Sequence, residues 1–226
     1  MEMSDWGIRS LVGVQDVKRV TPKQMAWLRK GGRNFLYKLF EEVEEKLRSL
    51  GLLGDFSGTI WLPTDVVVNA ASEDGGGFFW VYGEDMLAEA REFAEKVKER
   101  NPHVKVSIVR AKEFVDIKDG NIMTEFTWHG DEGAAIIFRM LDQIFDAVEE
   151  GGDFIRIENA VRIGEKFVRL PFFVPKTDNE KMLEFAGKYC GEESYLIFPD
   201  KRVFKCSRGN LEEATSEDIV KLALNI

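Results

Sequence analysis

Between Lys18 and Phe40 the chain carries seven cations and no acid: Lys18, Arg19, Lys23, Arg29, Lys30, Arg33 and Lys38. The whole chain has net charge −9, so this stretch leaves about −16 on everything else. Cations at this density neutralise phosphates, and such contacts weaken as salt rises. Within the stretch, Lys30-Gly31-Gly32-Arg33 places two cations and bare backbone amides where a helix begins, an arrangement that draws an anion. Trp27 and Tyr37 add flat rings on which unpaired bases can stack. The expected contact residues for a nucleic acid or an acidic protein partner are Lys23, Trp27, Lys30 and Arg33. A structural reading competes with this one. Glu41, Glu42, Glu44 and Glu45 follow at once and can pair with the cations, while Trp27, Phe35, Leu36, Leu39 and Phe40 suit a core.

A second grouping is acidic. Asp116 and Asp119 sit on a hairpin, and Glu125 lies on the strand that returns from it. Carboxylates brought together on a sheet can hold two metal ions for in-line phosphoryl transfer. This makes a metal-dependent nuclease or nucleotidyl-transferase-like enzyme the alternative function. The preceding strand, Gly77–Tyr82, supplies no acid, and Asp119-Gly120 is also what a tight turn demands. No catalytic residue, metal-ligand set or cofactor is therefore assigned, and non-catalytic binding or assembly is the leading expectation.

Other chemistries find little support. There is no GxxxxGK[ST], GxSxG or HExxH, and Gly75-Gly76-Gly77 lacks the dinucleotide spacing and precedes a strand. The two histidines, His103 and His129, stand in no motif and read as loop or surface residues. Cys190 and Cys206 form no CxxC and read as two reduced or buried thiols, with a disulfide as the other option. Four helix starts, at Glu84, Asp131, Thr177 and Glu217, already carry carboxylates that cap amides and repel phosphate. Only three glutamines occur, Gln15, Gln24 and Gln143, a bias typical of thermophiles. Neither a signal peptide nor an apolar run long enough to span a membrane is seen, so a cytoplasmic protein is expected.

The elements that position these residues follow from periodicity and punctuation. Thr21-Pro22 with Gln24 predicts a capped helix that stops at Gly31-Gly32, and a second helix runs over 33–50. Short strands are expected over 59–62 and 66–69. Phe78–Tyr82 is apolar throughout and reads as a strand buried on both faces. A helix over 84–100, strands over 104–110 and 122–128, a helix over 131–149 and a strand over 154–161 follow. Phe126 and Trp128 share one face of their strand, a weak hint of base stacking.

The resulting β-α-β-β-α-β order predicts an α+β protein with a ferredoxin-like, split-βαβ core over 77–161. An N-terminal helical arm would occupy 1–54 and the α+β domain 55–226, with a C-terminal ββα extension over 162–226. In that extension come a strand over 167–174, a helix over 177–188, a hairpin over 194–206 and a helix over 215–224. The spacing of the helix starts suggests a ββα repetition, without residue-level similarity to support it. The apolar arc of helix 131–149 is wide enough to be sandwiched in the fold or to form a homo-oligomer interface, and the sheet offers a second route to self-association. The 226-residue chain is long enough to bury a large core, and its ordinary composition excludes disorder and disulfide scaffolds.

Overall fold

The computed structural model describes residues 14–53, 59–74, 77–111, 121–125 and 131–224. By its contacts the chain divides into two compact units, 1–134 and 135–226. This division does not coincide with the 54/55 boundary expected from the sequence. The early helices belong to the same unit as the strands that follow them.

In the first unit, Thr21 caps α1 (Pro22–Trp27) through a reciprocal pair: its Oγ1 accepts from the Gln24 N–H, and its own N–H donates to Gln24 Oε1. A π-type turn over Leu28–Gly32 joins α1 to α2 (Arg33–Ser49). The apolar positions of α2, Leu36, Leu39, Phe40, Val43 and Leu47, are buried at helical spacing. Strands β1 (Val14–Arg19), β2 (Thr59–Trp61) and β6 (Asn121–Glu125) form one antiparallel sheet in the order β1-β6-β2.

A second sheet has the order β4-β3-β5, from β3 (Asp65–Ala71), β4 (Gly77–Gly83) and β5 (Lys105–Arg110). Helix α3 (Leu87–Arg100) crosses from β4 to β5 over the central strand. Val66 and Val68 of β3 meet Ala90 and Ala94 of α3, with Trp80 set edge-on to Phe93 at 4.6 Å between centroids.

The second unit takes most of α4 (Asp131–Gly151), then β7 (Phe154–Ile163), β8 (Lys166–Pro175) and α5 (Asn179–Tyr189). It closes with β9 (Ser194–Ile197), β10 (Val203–Ser207), β11 (Asn210–Glu213) and α6 (Ser216–Leu224). Its antiparallel sheet has the order β11-β10-β9-β7-β8. Ile157, Phe172, Val174, Leu196 and Phe204 of the sheet, with Phe198 just after β9, pack with Ala147 of α4 and Phe185 and Ala186 of α5. Ile137, Met140, Leu141, Ile144 and Val148 of α4 are also buried, so its wide apolar arc is used within the chain. Cys190 and Cys206 are bonded, with Cα atoms 6.1 Å apart, which corrects the reading of two separate thiols. Their spacing along the chain held no sign that α5 ends beside β10.

The α+β class is observed, but the strands assigned to a ferredoxin-like sheet are distributed over three sheets. Here β4 and β5 both flank β3, β6 pairs with β1 and β2, and β7 joins the second unit. The described elements come in the expected order but pair otherwise, because pairing is a long-range choice that element order leaves open. Likewise, among the described residues Phe78–Tyr82 pairs with β3 alone, and Phe78 is 73% exposed, so the strand is not buried on both faces. An apolar run records composition and carries no information on how many neighbours the strand has. The expected C-terminal extension is not an appendage either, since β8 to β11 share one sheet with β7.

One arrangement occurs twice. In each unit a hairpin is followed by a crossover helix and a strand that returns beside the first strand of the hairpin. The first strands, at Asp65 and Phe154, and the returning strands, at Lys105 and Ser194, both begin 89 residues apart. The crossover helices carry Glu92-Phe93-Ala94-Glu95-Lys96 and Glu184-Phe185-Ala186-Gly187-Lys188, and each lays its Phe-Ala pair on its own sheet. The shared Phe-Ala pair lies on the face that packs, while the shared Glu and Lys are exposed and the helix match is three residues out of step with the strands.

Candidate functional site

The basic segment folds into the kinked helix of the first unit. Gly31 sits at φ +117°, a conformation that L side chains rarely adopt. A Cβ on Gly32 would come within 2.5 Å of the Trp27 ring. The two glycines thus serve the kink: one supplies the backbone turn, and the other lets Trp27 lie against the main chain. The Arg33 N–H donates back to the Leu28 carbonyl, so the helix start is partly occupied and is not the open row of amides expected from Lys30-Gly31-Gly32-Arg33.

Arg33 is engaged inward. Its Nε donates to Asp65 Oδ1 at 2.6 Å, and its guanidinium lies 4.7 Å from the Tyr37 ring centroid. Asp65, fully buried at the start of β3, also accepts from the Tyr37 hydroxyl at 2.5 Å and from the Leu62 N–H at 2.9 Å. Burial raises the Asp65 carboxyl above the ordinary carboxylate range, against the opposing pull of Arg33, the Tyr37 hydroxyl and the Leu62 N–H. Burial, then the neighbouring Asp65, also pushes the Tyr37 hydroxyl well up. This triad ties α2 to the sheet.

Beside it lies a cleft of about 400 Å³ lined by Arg29, Arg33, Asn34, Thr64, Glu84 and Asp85 among others. Arg29 pairs with Glu84 at 3.5 Å across it, with both side chains largely exposed. Arg33 is already answered by Asp65, so Arg29 alone faces Glu84 and Asp85 and the cleft gives a phosphate little preference.

The four residues expected to contact an anion are therefore placed differently. Lys23 and Lys30 are exposed, and Lys30 makes no ion pair among the described residues. Trp27 is half-buried, packed on Gly32 and edge-on to Phe35 at 6.2 Å. Arg33 is bound to Asp65. Lys38 and Arg29 are exposed as well, while Lys18 and Arg19 end β1.

Of the alternative carboxylates, Glu125 ends β6, and Asp116 and Asp119 fall outside the described residues, as do Phe126, Trp128 and His129. His103 is exposed in the turn after α3. Among the described residues no cluster of three or more His, Cys, Asp or Glu side chains is placed to hold a metal ion, and no helix is long and apolar enough to cross a membrane.

Sequence reasoning missed Asp65. It lies between a Pro-Thr turn and an apolar run, Val66-Val67-Val68, and an acid leading into such a run is the one signal that could have marked it. No protein-family model, no curated protein and no solved structure matches this chain.

Proposed function

We propose that the protein is a non-catalytic binding or assembly protein, which contacts nucleic acid or an acidic partner through the basic segment 18–40. The observation that carries this reading is the exposure of Lys23, Arg29, Lys30 and Lys38 along a segment without a single acid, on a chain that is otherwise strongly negative. The contact is electrostatic and made by lysines. Arg33 serves to hold α2 on β3, and Trp27 serves the kink.

The test is a fluorescence-polarisation titration with labelled single- and double-stranded DNA and RNA at two salt concentrations. The variant for comparison carries Lys23→Ala, Lys30→Ala and Lys38→Ala, with Arg33 kept because its loss would strand Asp65. Binding that falls with salt and is lost in the variant supports the reading. Absence of binding at low salt to any of these probes, and to an acidic polypeptide, contradicts it. The alternative, metal-dependent phosphoryl transfer by Asp116, Asp119 and Glu125, predicts instead an activity abolished by chelator and by each single Asn or Gln substitution.

A further inference from the structure

We infer that the cleft beside the Arg33–Asp65 pair binds a small primary amine as its ammonium ion. The inference goes beyond the electrostatic reading above, which concerns an anionic partner on exposed lysines. The cleft has a volume of about 400 Å³, and Leu28, Arg29, Thr64, Glu84 and Asp85 are among the residues that line it. A space of that size suits a small organic molecule.

The charge of the cleft favours a cation. Arg33 is answered by Asp65 at 2.6 Å. Arg29 and Glu84 meet only at 3.5 Å, with both side chains largely exposed. Asp85 makes no ion pair or hydrogen bond among the described residues, which leaves one carboxylate in excess. That carboxylate lies close over the main chain. A Cβ on Gly83 would collide with Asp85 Oδ1 and come within 3.2 Å of Arg33 Nη1. Gly83 has an ordinary φ of −69°, so the position uses the small size of glycine and not its backbone freedom.

A further observation is independent of charge. Thr64 is 4% exposed, and its Oγ1 has no hydrogen-bond partner. Buried hydroxyls are ordinarily paired, so this one calls for a partner, and the cleft that Thr64 lines is where one can enter.

An ammonium group answers both observations. It is a compact charge with three donors, and Asp85, Glu84 and Thr64 Oγ1 are the acceptors. Taking Glu84 releases Arg29 to water at small cost, because the pair it leaves is exposed. The alkyl part of the amine has Leu28 to lie against. Other cations fit less well. A quaternary ammonium has no donor for Thr64 and is recognised by aromatic faces, and none of the described lining residues is aromatic. A calcium ion takes six or more oxygens, against two carboxylates here with a guanidinium beside them.

Titration of the full chain with n-butylammonium chloride at fixed ionic strength, followed through the amide resonances of Gly31, Thr64, Gly83 and Asp85, tests this. Saturable shifts confined to this region are expected, with a Kd on the order of 1 mM. Tetramethylammonium and calcium chloride should give none. Asp85→Asn should raise the Kd about tenfold or more and Thr64→Val about threefold or more. Glu95→Gln, which removes an exposed carboxylate of α3 outside the cleft, should leave it in place. Thr64→Val should also leave the Tm of the unligated chain no lower, because the hydroxyl it removes has no partner to lose. Should that variant fail to fold by circular dichroism, the Asp85→Asn comparison decides alone. No saturable shift up to about 100 mM amine overturns the inference. So does an equal response to tetramethylammonium, or binding that ignores either variant. A lowered Tm of unligated, folded Thr64→Val would show the hydroxyl to be engaged already and overturns it as well.

Discussion

The hairpin, helix and strand of 65–110 and those of 154–197 share a strand order, yet they are closed by different means. In the first, a buried carboxylate at the head of the central strand is held by Arg33 and Tyr37 from α2, and the outer strand of the hairpin is left half-exposed. In the second, the outer strand is buried, aromatic side chains fill the core, and a disulfide fastens the end of the crossover helix to β10. The same topology is thus compatible with a polar anchor and a half-exposed outer strand or with an apolar seal. The half-exposed one also carries the basic helix. The difference teaches that the repeated part specifies a strand order, while the flanking helix decides whether the module presents a surface.

All five tryptophans precede Ala135, so their emission reports the first unit, whereas far-ultraviolet circular dichroism reports both. The largest effects are expected at the two anchors. Phe172→Ala in the second unit removes a ring that is 1% exposed and should cost about 3–5 kcal/mol, seen in the dichroism transition with urea. Arg33→Ala strands the buried Asp65 and should cost about 3–5 kcal/mol in the tryptophan transition. Replacing Arg33, Tyr37 and Asp65 together by Met, Phe and Leu should cost far less, because no uncompensated charge is left. If Arg33→Ala were no worse than the triple variant, the polar-anchor half of the comparison would fail.

Next in size is the disulfide. Cys190 and Cys206 are 16 residues apart in sequence, and opening a loop of that length by Cys206→Ser or by reductant should cost about 3 kcal/mol. The loss should appear in the second unit, with the tryptophan transition unmoved. A smaller effect follows from Asp65. Its folded carboxyl titrates above the unfolded one, so its favourable contribution is complete below the unfolded value and is lost as pH rises through the folded value. The tryptophan-reported stability of the native chain, relative to Asp65→Asn, should therefore increase on acidification from neutral toward about pH 4. A relative decrease would mean that Arg33 and the hydrogen bonds outweigh burial.

Much of the element inventory was legible. Thr21-Pro22 with Gln24 marked the start of α1, and the apolar spacing of Leu36, Leu39, Phe40, Val43 and Leu47 marked α2. The helices expected over 131–149 and 177–188 correspond to α4 and α5 within two residues at each end, because caps and periodicity are local signals. Strand partners were not legible. Val14–Arg19 falls in the stretch expected as a helical arm and yet is a strand paired with β6, more than a hundred residues away in sequence. Phe78–Tyr82 was readable as a strand but not as a half-exposed one. At the candidate site the cations were legible and their engagement was not. Whether Arg33 faces solvent or Asp65 depends on where β3 begins relative to α2, which neither segment encodes alone.

The most direct test of the contrast between a half-exposed and a sealed outer strand is hydrogen exchange of the full chain, comparing the amides of 77–83 with those of 166–175. The β8 amides are expected to exchange slowly and the β4 amides quickly, in keeping with the burial of one strand and the half-exposure of the other. Protection of β4 equal to that of β8 would contradict that contrast.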